Sequence, residues 1–422
     1  MVRKMAQETF EKFFEKLEGE NKENNFKQTE IGLIPEDWEV VRLGEVAEVK
    51  AGQSAPQGEK YFQNGKYPFI RVQHIDNNDY KIMGWDLIND MAVKDYHLKL
   101  FSKGTIVFPK SGAAVYLEKR AMLPFDAYIV SHLCAVNSKS EKLLQRFLFY
   151  FLVSQKLAKK KAEGYPTLNL SEVKEILIPL LPLSEQRKIA RVLDKIQQAI
   201  ELQDRIIEQA KNLKKSLMQK LFTEGLYGEE QKEMEIGLIP KSWTLVNLGN
   251  VFQLKSGKTR PKTILKYPTD KFRYPVFGGN GILGYSDQYL FEGSTIVIGR
   301  VGEYCGIAYP ISAKAWITDN ALYVVKKKIV YSEYYLANFL NYYNLNKFSK
   351  RAGQPVISQG VIYALKIPLP PLEEQKQIAH ILSIVDEKIE VEQMRKQVLK
   401  ELFKTMLHKL ISGEIRLKEV EI

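Results

Sequence analysis

The sequence predicts an α+β fold in which two globular domains, related by pseudo-twofold symmetry, are joined by two long antiparallel coiled-coil helices. Three observations predict this fold. The chain of 422 residues contains one long internal repeat, each copy begins with segments rich in β-branched and aromatic residues, and each copy ends in a heptad pattern of apolar residues. A chain of this length has room for several compact domains, each with its own core.

The internal repeat is marked by the sequence EIGLIP, which occurs at residues 30–35 and again at 235–240. The offset between these copies is 205, whereas the sequence IPL at 178–180 and 367–369 recurs at an offset of 189. The offset falls from 205 to 189, so the first copy is 16 residues longer in its interior. Two long copies with shared ends indicate a tandem duplication, because a solenoid needs many short units.

The globular parts of the two copies are predicted at residues 30–183 and 235–372. Their β-branched and aromatic residues, interrupted by Gly, Pro, Asn and Asp, are typical of short strands and turns. Each part also contains apolar residues at three- and four-residue spacing, which predict one amphipathic helix. We expect strands at 104–108 and 294–299 and the amphipathic helices at 141–161 and 332–351.

The coiled-coil helices are predicted in the segments 184–234, which also holds a linker, and 373–422. Apolar residues keep a heptad pattern over 185–222 and 373–411, and a proline stands just before each pattern. Ser184 is the expected N-cap of the first helix. Helices of this length extend beyond a globular domain, so the two apolar faces are expected to pair with each other.

One polar residue interrupts each heptad pattern at the same place, Gln203 in the first helix and Glu392 in the second. A polar residue in a coiled-coil seam often sets the register of the pair at a cost in stability. We therefore expect Gln203 and Glu392 to lie close together and to fix the helix register.

Residues 1–29 are predicted to hold a short N-terminal helix and a polar linker. A third apolar pattern over residues 5–17 predicts that this helix docks on the long helices, and binding to a partner is the alternative.

Composition and charge exclude several classes of protein. The 62 Lys and Arg against 50 Asp and Glu give a net charge of +12, which attracts nucleic acid or an acidic membrane surface. Two cysteines and five scattered histidines provide neither a disulfide framework nor a zinc site, so no metal is expected. The longest apolar runs are too short to cross a bilayer, so we expect a cytoplasmic protein without a membrane partner.

The sequence contains no complete catalytic or nucleotide-binding motif. The sequence SGKT at 256–259 lacks the first glycine of a P-loop, because position 252 is Phe. The glycine-rich sequence at 279–284 precedes a strand-like run where a dinucleotide site needs a helix, so it predicts a tight turn. The tetrad NPPY, which would hold a flipped base, does not occur, and neither HExxH nor GxSxG is found. The chain is therefore not expected to be an enzyme.

Basic and polar residues beside aromatics, in the glycine-rich parts of both domains, remain as candidates for DNA contacts. Arginine pairs with guanine, glutamine or asparagine with adenine, and lysine with phosphate, so a group of these residues suits a DNA surface. The candidates in the first domain are Gln53, Gln57, Arg71, Gln73, Lys110, Tyr116 and Tyr165. The candidates in the second domain are Lys258, Arg260, Lys262, Asn280, Arg300, Tyr304 and Gln354.

Over nearly its whole length the chain resembles a specificity subunit of a type I restriction–modification system. The resemblance is carried by segments at the starts and hinges of both copies and inside both domains. These are IGLIP at 31–35 with Trp38, IPLLPLSEQ at 178–186, IGLIP at 236–240, IPLPPLEEQ at 367–375, FPKSG at 108–112 and FGGNG at 277–281. The first hinge has LSEQ where the family has LEEQ, which is a minor departure.

The resemblance implies two target-recognition domains, each reading one half of a split sequence in double-stranded DNA. It also implies two modification subunits, which use S-adenosylmethionine to methylate adenine, and two restriction subunits, which use ATP and Mg to translocate and cleave DNA. The chain itself would bind no cofactor. Two alternatives remain open, a coiled-coil scaffold that binds protein or RNA and the recognition part of a fused DNA methyltransferase.

Overall fold

The computed structural model describes residues 25–77, 79–158, 166–235, 237–350 and 353–417. The chain divides into two compact units, each of which is described by itself. Unit 1 comprises Met1–Asp204 and Met394–Ile422, and unit 2 comprises Arg205–Gln393. The helix expected at residues 5–17 lies outside the described residues.

Unit 1 contains a four-stranded sheet, a three-stranded sheet and two small antiparallel ribbons. Its strands are β1 (Phe26–Thr29), β2 (Gly32–Pro35), β3 (Glu39–Arg42), β4 (Ala47–Ala51), β5 (Tyr67–Ile70), β6 (Asp86–Ile88), β7 (Ile106–Pro109), β8 (Ala121–Met122), β9 (Tyr128–Ile129), β10 (Leu133–Ser138) and β11 (Leu177–Leu180). Its short helices are α1 (Leu43–Val46), α2 (Asp90–Asp95), α3 (Gln145–Ser154) and α4 (Leu170–Lys174). The larger sheet has the order β4-β10-β7-β8 and the smaller sheet the order β6-β5-β9.

Both faces of the larger sheet are buried, as β7 shows. Ile106 and Phe108 belong to the core cluster that contains Phe147 of α3. Val107, between them, belongs to a second core cluster, which contains Phe69 of the smaller sheet. Successive side chains of a strand point to opposite faces, so this sheet packs between a helix and another sheet.

The first long helix, α5 (Leu183–Thr223), follows directly after β11. It begins earlier than predicted, because the carbonyl of Pro182 already accepts hydrogen bonds from the backbone N–H groups of Glu185 and Gln186, both at 3.0 Å. Ser184 therefore lies within the first turn, and its predicted role as the N-cap is wrong.

Unit 2 repeats the arrangement of unit 1. Its strands are β12 (Gln231–Met234), β13 (Gly237–Pro240), β14 (Thr244–Asn247), β15 (Phe252–Ser256), β16 (Tyr274–Gly278), β17 (Gly281–Ser286), β18 (Ser294–Gly299), β19 (Ala308–Ser312), β20 (Trp316–Ile317), β21 (Ala321–Lys327) and β22 (Lys366–Leu369). Its helices are α6 (Leu248–Val251), α7 (Glu333–Tyr343) and α8 (Gln359–Ala364). The second long helix, α9 (Leu372–Ile411), begins in unit 2, and its residues from Met394 onwards belong to unit 1. The sheets have the orders β15-β21-β18-β19 and β17-β16-β20.

The strands predicted at 104–108 and 294–299 are confirmed as β7 and β18. The amphipathic helices α3 and α7 are confirmed but are shorter than predicted. Gln155 is extended and ends α3, and Asn344 is left-handed, with φ of 58°, and ends α7. The apolar pattern continues into irregular residues after α3 and into a short 3-10 helix, Leu345–Phe348, after α7. Apolar spacing alone therefore does not show where an α-helix ends.

Halves of the two long helices pair antiparallel inside each unit, which confirms the predicted direction. In unit 1, Asp204 of α5 forms an ion pair with Lys396 of α9, while Glu185 at the start of α5 meets Arg416, beyond the end of α9. In unit 2, Lys214 of α5 lies 2.7 Å from Asp386 of α9. With 41 and 40 residues, each helix is about 60 Å long.

Gln203 and Glu392 are both buried. Gln203 belongs to unit 1 and Glu392 to unit 2. Their closeness and their role in the register stay a prediction.

Candidate nucleic-acid interface

Four segments of unit 1 meet where β4 and β7 end and β10 begins. The carbonyl of Gln53, after β4, accepts a hydrogen bond from the backbone N–H of Ser131 at 2.7 Å. The N–H of Lys110, after β7, donates to the carbonyl of His132 at 2.9 Å, and the carbonyl of Lys110 accepts from the N–H of Leu168 at 2.7 Å. We call these segments edge 1, which consists of residues 52–53, 110–112, 131–132 and 166–168.

Unit 2 has the same backbone arrangement at the equivalent end of its sheet. The carbonyl of Lys258 accepts from the N–H of Asp319 at 3.0 Å, and the N–H of Arg300 donates to the carbonyl of Asn320 at 2.9 Å. The carbonyl of Arg300 accepts from the N–H of Ile357 at 3.0 Å. We call this set edge 2, which consists of residues 257–258, 300–302, 319–320 and 355–357.

In each edge a glycine lets the segment after β4 or β15 closely approach the strand β9 or β20. A Cβ atom on Gly52 would lie 2.2 Å from the carbonyl oxygen of Ile129, and one on Gly257 would lie 2.2 Å from the carbonyl oxygen of Ile317. No side chain fits in that space. The same requirement for glycine therefore applies to the backbone of both edges.

The side chains on this shared backbone differ between the edges. Each equivalent pair carries groups that can form hydrogen bonds, but the groups are not the same. The pairs are Gln53 and Lys258, Lys110 and Arg300, Ser131 and Asp319, and His132 and Asn320. One backbone arrangement thus presents two different patterns of donors and acceptors.

Two candidates from the sequence, Gln53 and Lys110, lie in edge 1. The side-chain oxygen of Gln53 accepts from the backbone N–H of Lys99 at 3.3 Å. Among the described residues, the side chain of Lys110 has no hydrogen-bond or ion-pair partner. Tyr116 is exposed in the short 3-10 turn Ala113–Leu117, which follows edge 1.

The other candidates of the first domain are placed differently. The guanidinium of Arg71 pairs with Asp86, and the side chain of Gln57 donates to the carbonyl of Ala55 at 3.1 Å. Gln73 is exposed in a 3-10 turn after β5. Tyr165 lies outside the described residues. Within the described part of the chain, the side chains of Arg71, Gln57 and Gln73 form no hydrogen bond with Gln53 or Lys110.

In the second domain, Lys258 and Arg300 lie in edge 2, and the Arg300 side chain donates to Ser256 Oγ at 3.2 Å. Asn280 occupies the turn between β16 and β17, which confirms the tight turn predicted at the glycine-rich sequence. This turn packs on edge 2, since a Cβ on Gly279 would lie 2.7 Å from the carbonyl oxygen of Val301.

Two further candidates border edge 2. The side-chain nitrogen of Gln354 lies 3.7 Å from the position that a Cβ on Gly302 would take. The side chain of Tyr304 is exposed. Its backbone oxygen lies 3.0 Å from the position that a Cβ on Gly299 would take. The structure thus gathers five candidates of this domain: Lys258, Asn280, Arg300, Tyr304 and Gln354.

Arg260 and Lys262 lie on the segment between β15 and β16. Both side chains are exposed, and neither forms a hydrogen bond or ion pair within the described part of the chain. Their predicted role in DNA contacts stays a prediction.

Sequence reasoning missed the contact between Ser111 and His132 in edge 1, where Ser111 Oγ lies 2.6 Å from His132 Nδ1. The spacing of the five scattered histidines in the sequence gives no indication of this contact, because no spaced motif joins them. The structure shows that His132 and Asn320 occupy equivalent positions of the two copies, and this equivalence points to His132 as a residue of edge 1.

Cys134 is a buried, free cysteine of the first domain. Burial raises the pKa of the Cys134 thiol to about 12, which keeps it protonated and unreactive. Within the described ranges, no group of three or more His, Cys, Asp or Glu residues is arranged to hold a metal ion. No helix in this part of the chain is both long and apolar enough to cross a membrane.

The sequence profile of the type I restriction modification DNA specificity domain matches the chain twice, at residues 35–212 and 240–401. The chain belongs to this family. The subunit is 29% identical over 422 residues to the putative type I restriction enzyme MjaX specificity subunit of Methanocaldococcus jannaschii, covering 94% of this chain and 98% of the relative. It is 26% identical over 363 residues to the EcoprrI specificity subunit of Escherichia coli, covering 82% and 86%.

Two solved structures share the fold of this specificity subunit. The type I S subunit from M. genitalium has a TM-score of 0.58 and 20% identity, with 88% of this chain and 96% of that chain covered. A chain from a structure of a type I system, solved to explain its assembly and conformational transition, has a TM-score of 0.55 and 19% identity, with 90% and 99% covered. These likenesses support the fold.

The protein is therefore a type I specificity subunit in which the DNA-recognition domain occurs twice. It is the non-catalytic recognition subunit of such a system, as the sequence predicted. The two alternatives, a scaffold for protein or RNA and a fused methyltransferase, gain no support.

Proposed function

We propose that the specificity subunit reads a bipartite DNA sequence, with edge 1 contacting one half-site and edge 2 the other. The observation that supports this most strongly is the shared backbone of the two edges, which carries different side chains at equivalent positions. Base edges are distinguished by the pattern of donors and acceptors that faces them. Two edges with different patterns read two different half-sites, so the target is asymmetric.

The residue types in the edges suit base contacts. In edge 2, the guanidinium of Arg300 can pair with guanine, and the amide of Asn320 can pair with adenine. In edge 1, Gln53 is suited to adenine and Lys110 to guanine. The net charge of +12 supplies the attraction for the DNA backbone that base contacts alone do not provide.

The chemistry of the system belongs, in this proposal, to partner subunits. Two modification subunits would bind S-adenosylmethionine and methylate adenine, and two restriction subunits would use ATP and Mg. The repeated ends of the chain give two equivalent attachment surfaces for a pair of modification subunits. The complex would act in the cytoplasm on cellular DNA.

Selection of binding sites from a random duplex pool tests the proposal. Lys110→Ala and Arg300→Ala change equivalent positions in the two edges, so each variant should relax one base position in a different half-site. A well-placed base contact is worth about 1–3 kcal/mol of discrimination, which a selection resolves.

Lys27→Ala and Lys232→Ala are matched controls. These lysines are equivalent residues of the two EIGLIP hairpins, and each side chain donates to a nearby backbone carbonyl, both at 2.8 Å. They should leave the recovered sequence unchanged. Relaxation of the same half-site by both edge variants, or no bipartite sequence with the unchanged subunit, would refute the proposal.

A further inference from the structure

The two units differ most in one connection of the smaller sheet. In unit 1, β5 and β6 are joined by fifteen residues, 71–85, whereas the equivalent strands β16 and β17 of unit 2 are joined by two residues, 279–280. The sheets are otherwise alike, since β5 and β16 each pair antiparallel with the following strand and parallel with β9 or β20. This connection is therefore thirteen residues longer in unit 1, and the next one, 89–105 against 287–293, is ten residues longer.

Residues 79–81 of this connection, which we call the brace, contact both long helices. Asp79 Oδ1 lies 2.9 Å from Lys400 Nζ on α9, and the carbonyl of Asp79 accepts from Gln197 Nε2 on α5 at 3.3 Å. Lys81 Nζ lies 3.0 Å from Glu201 Oε1 on α5. All of these residues belong to unit 1.

Tyr80 anchors the brace between a helix of the domain and a long helix. Its ring centroid lies 6.4 Å from that of Phe149 on α3 and 5.9 Å from that of Phe403 on α9. The backbone of Tyr80 has a φ of 58°, which a tyrosine rarely adopts. Such a conformation persists only where the surrounding packing holds it.

The equivalent groove of unit 2 has no such segment. In unit 1, Asp79 and Tyr80 form one wall of a groove along Lys400, Phe403 and Leu407 of α9. The matching positions of α5, 189 residues earlier, are Lys211, Lys214 and Met218, and they line a groove with residues of α7 and the loop after it. Within the described residues of unit 2, no connection of the smaller sheet forms a wall of this groove.

We propose that the brace holds the first recognition domain in one placement on the helix pair, and so restricts the gap between half-sites that the subunit accepts. Asp79 and Tyr80 are the positioning residues, and they touch the helices rather than DNA. The proposal rests on the proposed bipartite reading. A base-pair step both advances and turns the DNA, so a domain free to pivot would reach neighbouring gaps that a fixed domain cannot reach.

The test measures gap preference with the full chain and its modification subunits. Duplexes carry the selected half-sites at the preferred gap and at gaps shorter or longer by one and two base pairs. The unchanged subunit should bind the duplex with the preferred gap at least about tenfold more tightly than the others. A tenfold loss of affinity is about what one mismatched base pair causes. Tyr80→Ala and Asp79→Lys should reduce that preference at the neighbouring gaps to about threefold or less, with the bases of each half-site unchanged.

Three controls separate positioning from loss of folding. Tyr80→Phe keeps the ring contacts and should keep the gap preference. Asp79→Lys combined with Lys400→Asp should restore a preference that Asp79→Lys alone loses. Tyr96→Ala removes a ring whose centroid lies 5.3 Å from that of Tyr61, in a contact that does not involve the long helices. This variant should not widen the range of accepted gaps.

A folded Tyr80→Ala variant that binds more weakly at every gap, with the preference unchanged, would overturn the proposal. Failure of the charge exchange to restore the preference would also count against it. Failure of the proposed function looks different, because the unchanged subunit would then select no bipartite sequence at all. Should Tyr80→Ala fail to fold, the Asp79 and Lys400 variants carry the test.

Discussion

The indole N–H of Trp243 donates a hydrogen bond to Oε2 of Glu374, at 2.9 Å. In unit 1, Trp38 donates to Glu185 in the same way, at 3.3 Å. Each tryptophan follows an EIGLIP hairpin, and each glutamate lies in the first turn of a long helix. The contact therefore fastens the start of each recognition domain to the helix that follows it.

Arg416 completes this contact in unit 1, and we expect Arg416→Ala to destabilise the protein strongly. The guanidinium lies 2.6 Å from Glu185 Oε1 and 2.9 Å from Asp37 Oδ1, and these carboxylates raise the pKa of Arg416 against the effect of burial. Removing one partner of a buried ion pair costs about 3–5 kcal/mol. Urea unfolding measures the loss. Arg42→Ala, which removes an exposed pair with Glu175, should cost less than about 1 kcal/mol.

Replacing Gln203 and Glu392 by leucine should raise the melting temperature. Burying a polar group in a helix seam costs free energy that an apolar residue does not, and the polar pair is expected to specify register in return. Thermal unfolding of the double variant measures the first effect. A lower melting temperature would show that the polar residues stabilise the helices.

Lengthening both long helices should lengthen the DNA gap. Four residues inserted after Gln203 and after Glu392 add about 6 Å to each helix. DNA advances about 3.4 Å per base pair, so the preferred gap should grow by about one to two base pairs, with the same bases read. Site selection with the assembled complex measures the gap, and recovery of the original gap would show that helix length does not set it.

The stability of unit 1 should decrease in mild acid because of His74. Burial lowers the pKa of this imidazole below its ordinary value of 6.5, and Asp86 opposes the shift in part. The unfolded chain therefore binds the proton first as the pH falls through about 6.5, and stability present at neutral pH is lost below it. Urea midpoints at pH 7.5 and at about 5 measure the effect. His74→Gln should have a smaller difference between the two midpoints.

The long helices and the duplication were predictable because their signals are local or repeated in the sequence. The heptad pattern over 185–222 reflects the period of a coiled-coil helix, and EIGLIP marks the start of each copy of the repeat. The edges were not predictable in the same way. Gln53 and Ser131 come together only because β4 pairs with β10, so no spacing in the sequence joins them.

The brace was also invisible in the sequence. The sequence shows that the first copy is 16 residues longer, but length alone does not say which connection is longer or where it packs. The contacts of Tyr80 with Phe149 and Phe403 join residues that are far apart in the chain. Such contacts arise from tertiary packing, which local patterns do not encode.

The division of the chain into units has a consequence for synthesis on the ribosome. Unit 2 is one continuous stretch, Arg205–Gln393, whereas unit 1 needs both Met1–Asp204 and the last residues from Met394 onwards. Its core contains Phe403 and Leu410, and Arg416 closes the contact with Glu185. At about 5–20 residues per second, the first part of unit 1 waits about 10–40 s for its partner segment. The half of the protein that is translated first is therefore the half that finishes folding last.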